Sequence, residues 1–345
     1  MKANIYDYSR DALAEYFLSL GSPKFRATQV FEAVYRHRII AFGDITNLKK
    51  EFRDKLKEDF YFGSLSVVKV LVSEDKTQKY LYRLTDGNLI ETVLMKHDYG
   101  YSVCVTTQVG CNMGCLFCAS GQIKKIRDLT PGEMVMQALT IDDVLRKEGN
   151  RVSHVVIMGI GEPFDNYHNV TEFIKIINDV KGLEIGARHI TLSTCGIVPK
   201  IYEFSQFPLQ VNLAVSLHFA SDDKRSRYMR INKVYNLEAL FEALHYYYKK
   251  TKRRITIEYI LLSGINDSLQ DAAALVRLVR DLNCYINLIP YNETGMFKRT
   301  KSTQARLFFD YLIKNGINVV TRKEQGHDIA AACGQLRIKE MICKD

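Results

Sequence analysis

The spacing of apolar and polar positions changes twice along the chain. Residues 1–60 read as helical. From Asp7 to Leu20 apolar side chains recur at helical spacing, and Gly21-Ser22-Pro23 stops the run. The pattern resumes from Thr28 to Ile40, with Val30, Phe31, Val34 and Tyr35 on one face. Residues 65–97 then read as strands, Leu65 to Val72, Lys79 to Leu84 and Leu89 to Met95. Thr85-Asp86-Gly87-Asn88 joins the last two as a hairpin. From about residue 100 strand and helix alternate. The strands are Ser102–Thr107, Ser153–Met158, His189–Ser193, Val211–Leu217, Ile255–Leu261, Ile286–Pro290 and Asn318–Thr321. Helices between them include Pro131–Lys147, Leu237–Lys250 and Leu269–Leu282. Pro131 followed by Glu133 is a helix start. This rhythm predicts an α/β fold on a parallel sheet, best met by a partial (β/α)6-type barrel, with an open doubly wound sheet as the alternative. The expected division is a helical domain over 1–62, a β-hairpin adaptor over 63–98 and the barrel over 99–345.

Composition narrows the class. A chain of 345 residues with 47% hydrophobic content can bury a large core. No run of about 18 apolar residues appears, so no membrane-spanning segment is expected, and no hydrophobic signal segment stands at the start. Eight cysteines are too sparse for a disulfide scaffold, and the expected location is cytoplasmic. The net charge of +9 favours a polyanionic partner. Lys24, Arg26, Arg36, His37 and Arg38 give the helical start a basic side, and Lys249, Lys250, Lys252, Arg253 and Arg254 form a second run. Either run could track phosphate or simply solvate a helix face.

Cys111, Cys115 and Cys118 form a Cys-x-x-x-Cys-x-x-Cys array directly after the first barrel strand. A cubane iron–sulfur cluster commonly takes four Cys ligands, so three leave one iron open to a non-protein ligand. Zinc closed by a distant Cys is the bland reading, although no second Cys-x-x-Cys pair is present. Further motifs follow later strands, where barrels gather their active sites. Gly161 and Glu162 lie in G-I-G-E-P, which lacks the third glycine of a dinucleotide fingerprint. Glu162 could accept a bond from an ammonium group. Ser193, Ser216, His218 and Asn292 offer groups able to orient a ribose or a carboxylate. Each, taken singly, could be a satisfied polar cap. Cys104 shares a strand face with Ser102 and Thr106, and Cys333 lies in D-I-A-A-A-C-G-Q-L. The two are either buried structural thiols or a pair that can meet.

Across nearly its whole length the chain resembles the RlmN/Cfr group of radical S-adenosylmethionine (SAM) adenosine methyltransferases. The resemblance runs through I-E-T-V at Ile90–Val93, C-V-T-T-Q-V-G-C-N-M-G-C-L-F-C-A from Cys104, R-D-L, G-I-G-E-P-F-D-N-Y, V-N-L-A-V-S-L-H, N-L-I-P-Y-N and D-I-A-A-A-C-G-Q-L. It implies a four-iron four-sulfur (4Fe-4S) cluster on Cys111, Cys115 and Cys118, and SAM contacts from Gly161, Glu162, Ser193, Ser216, Leu217, His218 and Asn292. Two SAM molecules are used per turnover. One methylates Cys333; the other yields the radical that activates that methyl group for addition to an adenine. Glu91 is the implied proton acceptor, and Cys104 the thiolate that attacks the Cys333 sulfur and frees the product. G-E-P-F-D-N-Y looks like the RlmN side, which methylates carbon 2 of an adenosine in 23S rRNA and, in some members, an adenosine beside the tRNA anticodon. The Cfr alternative methylates carbon 8 and gives antibiotic resistance. Such an enzyme would act as a monomer and draw electrons from a donor such as flavodoxin or ferredoxin. A radical SAM enzyme on another substrate, and a non-catalytic zinc-stabilised RNA-binding protein, are the readings from other classes. The chain departs from the family where Cys195 replaces a frequent Ser and Glu293 a frequent Pro.

Overall fold

In the computed structural model, which describes residues 2–293, 295–331 and 335, the chain opens with three helices. Helix α1 spans Arg10–Ser19. It begins later than Asp7 because the Ser9 side chain caps it, accepting from Ala12 N–H, while Ile5–Asp7 turns as a separate 3-10 segment. Helix α2 covers Phe25–Tyr35 rather than Thr28–Ile40, and Arg38, at φ 57, turns the chain away beyond its end. Helix α3, Lys50–Asp59, was not singled out within the helical start: its apolar face is only Phe52 and Leu56, of which Leu56 is fully buried. Residues Ala3–Asn4 pair in parallel with Phe60–Tyr61 and close this unit. Its fastening to the rest is polar. Arg38 bridges Asp142 and Asp143, Arg10 meets Asp179 at 2.8 Å, and Asp7 accepts from Gly132 N–H at 2.8 Å.

One ten-stranded sheet follows, its strands in chain order. Strands β1 (Ser66–Val72), β2 (Gln78–Arg83), β3 (Leu89–His97) and β4 (Gly100–Cys104) are antiparallel neighbours. From β4 onward every pair is parallel: β5 (Val152–Ile157), β6 (Ile190–Thr194), β7 (Asn212–Ser216), β8 (Ile255–Leu261), β9 (Cys284–Pro290) and β10 (Val319–Thr321). The 63–98 segment is therefore continuous with the barrel wall.

Helices cross between the parallel strands. Among them α4 (Pro131–Arg146), α5 (Tyr167–Asn178), α6 (Val198–Phe204), α7 (Asp222–Tyr228), α8 (Leu237–Thr251), α9 (Leu269–Val279) and α10 (Ser302–Lys314) are the longer ones. Thr130 and Glu133 form a reciprocal capping box that starts α4 at Pro131. Strand β8 is buried at every position, as a parallel strand covered on both faces must be. Burying each large aliphatic side chain of this core contributes roughly 1.5–3 kcal/mol. The result is an α/β architecture: a partial barrel with an N-terminal helical unit. Among the described residues no helix is long and apolar enough to cross a membrane.

The lysine–arginine run at 249–254 lies at the N-terminal ends of the strands, away from the strand ends that carry the motifs. Lys252 closes α8 at φ 57, and Arg253 donates to Val211 O and, at 3.0 Å, to Asn212 Oδ1. Arg254 stacks over Tyr285 at 4.7 Å. Part of this run is thus a helix stop and a strand clamp.

Candidate active site

After β4 the chain leaves the sheet in a loop closed at its base by the short ladder of Gln108–Val109 with Arg127–Asp128. The three cysteines of the array stand inside this loop. Cys111 N–H donates to Ile123 O at 2.8 Å, and Leu116 N–H to Tyr228 O at 3.1 Å. Gly110, at φ +79, is required here: a Cβ would lie 2.2 Å from Lys124 O. Cys111, Cys115 and Cys118 line one wall of a cavity whose other walls come from the ends of several strands. Burial pushes the Cys111 thiol up to about 12 and raises that of Cys115 further. Neither is a thiolate at neutral pH unless a cation meets it. Among the described residues no three His, Cys, Asp or Glu side chains converge as ligands of a single ion. Three thiols spread along one wall suit the separate irons of a 4Fe-4S cluster, and the donor set fits it.

Facing the cysteines are the predicted SAM contacts. Gly161, at φ +112, passes so close to the β4 loop that a Cβ would sit 2.7 Å from Thr107 Oγ1. Glu162 is buried. Its Oε1 accepts Phe164 N–H at 2.9 Å and its Oε2 accepts Cys195 N–H at 2.7 Å. Burial raises its pKa, against those bonds. The side chains of Thr194 and Cys195 also bond to this carboxylate, which lines the cavity. Ser193 and Ser216, on neighbouring strands, place their hydroxyl oxygens 3.4 Å apart at the cavity. His218, at φ 58, accepts Ile260 N–H at Nδ1 (3.2 Å), so its proton sits on Nε2. Burial first, then the Arg225 charge, holds it down at about 3, and it is neutral. Its ring meets Phe117 of the cysteine loop edge-on at 4.9 Å. Asn292 is buried and lines the same cavity. Leu217 is different: its side chain belongs to the core, and its N–H and C=O are bonded to Glu258 O and Arg225 Nε.

The remaining expected groups lie on the hairpin side. Cys104, half-buried, lines the cavity and is in register with Val93 of β3. Glu91 lies two residues from Val93 on the same face of β3, beyond the end of β4, where Thr106 Oγ1 donates to its backbone carbonyl at 2.5 Å. It is buried, and Lys79 Nζ approaches its Oε1 at 3.2 Å. Cys333 lies outside the described residues. The chain leading to it does not: Ala331 lines the cavity and packs with Leu81, Val93 and Cys104. Glu91, Cys104 and the approach to Cys333 are therefore gathered on one sheet face.

Two charged residues escaped the sequence reading. Arg225 stands among the charged residues of D-D-K-R-S-R in α7 and is fully buried; nothing in the local pattern marks it. Lys79 had a signal. A four-residue turn at 85–88 fixes the hairpin register, which pairs Leu81 with Glu91 and Lys79 with Val93.

Comparison with known proteins agrees with this geometry. Residues 105–276 match the Radical SAM superfamily, and residues 3–61 match the ribosomal RNA large subunit methyltransferase N-terminal domain. The chain is 53% identical over 344 residues to a probable dual-specificity RNA methyltransferase RlmN of Streptococcus suis, covering 98% of this chain and 93% of that protein. It is 51% identical to a protein of the same description from Listeria welshimeri, covering 99% and 95%. A radical SAM methyltransferase from Sphaerobacter thermophilus superposes with a TM-score of 0.91 at 40% identity, over 97% of this chain and 99% of that one.

Proposed function

On the premise that the chain belongs to the RlmN family of radical SAM RNA methyltransferases, we propose that it methylates carbon 2 of an adenosine in 23S rRNA and of the adenosine next to the anticodon in tRNA. Its cofactors are a 4Fe-4S cluster and SAM. When bound, they supply a methyl group and a carbon radical, the means of attacking an aromatic C–H that a methyl cation does not reach. Cys111, Cys115 and Cys118 hold the cluster. Gly161 gives the ligand close access to the backbone. Glu162 takes the SAM ammonium, and Ser193, Ser216, His218 and Asn292 orient its ribose and carboxylate, while Leu217, engaged within the core, holds its neighbours Ser216 and His218 at the cavity.

The carrier is Cys333. Glu91 accepts the proton that carbon 2 of the base loses. Cys104, as thiolate, forms a bond to the Cys333 sulfur, and the electron pair of the carbon–sulfur bond leaves on the methylene carbon, which takes up a proton to become the methyl group of the freed base. A thiol or dithiol reductant returns the Cys104–Cys333 disulfide to the two thiols before the next turnover. A target adenine must be splayed out of its stack to enter, which favours loops over duplex RNA. A one-electron donor such as flavodoxin or ferredoxin serves the cluster, and the enzyme works as a cytoplasmic monomer.

The observation that carries this reading is the placement of Glu91 and Cys104 on one sheet face, beside the cavity lined by the three loop cysteines. Mass mapping of rRNA and tRNA from cells lacking the gene tests it. One 2-methyladenosine should vanish from each RNA and return on complementation. Loss of a carbon-8 methyl group instead would move the enzyme to the Cfr side. Unchanged methyladenosine at every site would reject the proposal, and a colourless zinc protein from anaerobic purification would reject the cluster.

A further inference from the structure

Lys79 has no part in the site as built so far. It stands on β2 opposite Val93, which is itself opposite Cys104, while Leu81 stands opposite Glu91. Lys79 and Glu91 are thus diagonal neighbours on the face that carries Cys104. The ammonium lies 3.2 Å from Glu91 Oε1 and donates to the carbonyl of Ala330 at 3.1 Å. Lys79 is only 9% exposed and Glu91 4%, and a lysine is rarely held so deep without a specific task.

Its second partner gives the task. Ala330 adopts a left-handed φ of 50, in the segment that leads to Cys333. The same hairpin holds that segment elsewhere. Asp75 accepts Gly326 N–H at 2.9 Å, Asp328 accepts from Ser73 Oγ and Glu74 N–H, and Ile329 and Ala331 pack with Leu81, Val93 and Cys104. These contacts seat the segment on the sheet. Lys79 joins it to the Glu91 carboxylate.

We propose that Lys79 is a positioning residue that ties the chain approaching Cys333 to Glu91, so that the methyl carrier and the proton acceptor meet the base in one fixed geometry. This rests on the roles given above to Glu91 and Cys333. A lysine that merely neutralised a buried carboxylate would need no bond to Ala330.

The test compares Lys79→Met and Lys79→Arg with the wild-type holoenzyme. Mass spectrometry follows methyl-Cys333 and the protein–RNA adduct during turnover, and hydrogen exchange follows amides 326–331 in the protein before cluster loading. For Lys79→Met the adduct should persist at least about tenfold longer, as expected when proton transfer is misplaced. Amides 326–331 should lose protection, and Lys79→Arg should recover most of both. Should Lys79→Met not fold, Lys79→Gln, which keeps an N–H donor but no charge, is read for adduct lifetime alone. Wild-type adduct lifetime and wild-type protection in a folded Lys79→Met or Lys79→Gln would overturn the inference. Controls separate this from failure of the underlying reading. If Cys333 is never methylated and Glu91→Gln turns over normally, the functional proposal falls. If both controls behave as proposed and only the Lys79 variants are silent, this inference alone falls.

Discussion

The carboxylate of Glu162 accepts the backbone N–H of Cys195 at 2.7 Å, fastening the loop after β5 to the loop after β6. One side chain thus holds two walls of the cavity that it also lines. Glu162→Gln replaces one acceptor oxygen with an N–H group that faces a donor. The unsatisfied contact costs about 1–3 kcal/mol, partly offset by relief of a buried charge. SAM affinity should fall about 10- to 100-fold, equivalent to roughly 1.4–2.7 kcal/mol. Titration calorimetry with SAM, alongside a thermal melt, measures both; unchanged affinity would remove Glu162 from the SAM site.

His218 carries a pH prediction whose sign follows from its depressed pKa. The folded value of about 3 lies below the ordinary 6.5, so the unfolded chain binds a proton that the native state does not. The stability it contributes is present above pH 6.5 and is lost as the pH falls toward 3. Glu162 and Glu258, whose pKa values burial raises, act in the opposite sense over part of that range. The direct measurement is therefore the imidazole nitrogen shift. Nδ1 should stay unprotonated and Nε2 protonated down to about pH 5, and a midpoint near the free value would show that the bond from Ile260 N–H does not hold the tautomer.

How far the sequence revealed this site depended on whether a feature was local. The cysteine array, the glycine at 161 and the strand-end motifs are local, because metal geometry and close backbone approach impose short spacings. The cavity they share follows from the βα rhythm. Helix α3 was hidden because its apolar face is only Phe52 and Leu56, a single helical step among charged residues, too short a run to stand out. The polar clamp on the last described residues was hidden for another reason. Asp75, Asp328 and Lys79 act across long sequence separations, and only the fold brings them together.

Arg225 shows the same limit and leads to a prediction. Its guanidinium is fully buried and donates to Cys195 O at 2.6 Å, Asn232 Oδ1 at 2.9 Å and Leu217 O at 3.2 Å. The bonded partners are amide and carbonyl oxygens, and although burial dominates at Cys115 and raises its thiol, the Arg225 charge acts in the opposite sense and favours the thiolate. Arg225→Met should lose about 2–4 kcal/mol of stability and bind less iron per chain. Arg225→Lys keeps the charge but not the planar fork and should fall between the two. Iron content and visible absorbance after anaerobic purification decide it. A full iron complement and an unchanged melt in Arg225→Met would show that this buried cation serves neither fold nor cluster.

The single cysteines differ in what their surroundings permit. Cys284 is buried at the start of β9, and burial pushes its thiol up to about 12; Cys195 is raised well above its ordinary range for the same reason. Neither is a thiolate at neutral pH, and a thiol that must attack sulfur needs that form. Cys104 instead stands half-buried on the cavity wall, in register with Val93 and packed with Ile329 and Ala331. Cys104→Ala should therefore stop turnover after the base has joined Cys333, leaving a covalent protein–RNA species that survives denaturation. Cys284→Ala should turn over within about twofold of wild type, as expected away from the site. Denaturing gels of anaerobic reactions with labelled RNA distinguish the two. Steady release of methylated RNA by Cys104→Ala would mean that another thiol, or none, resolves the adduct.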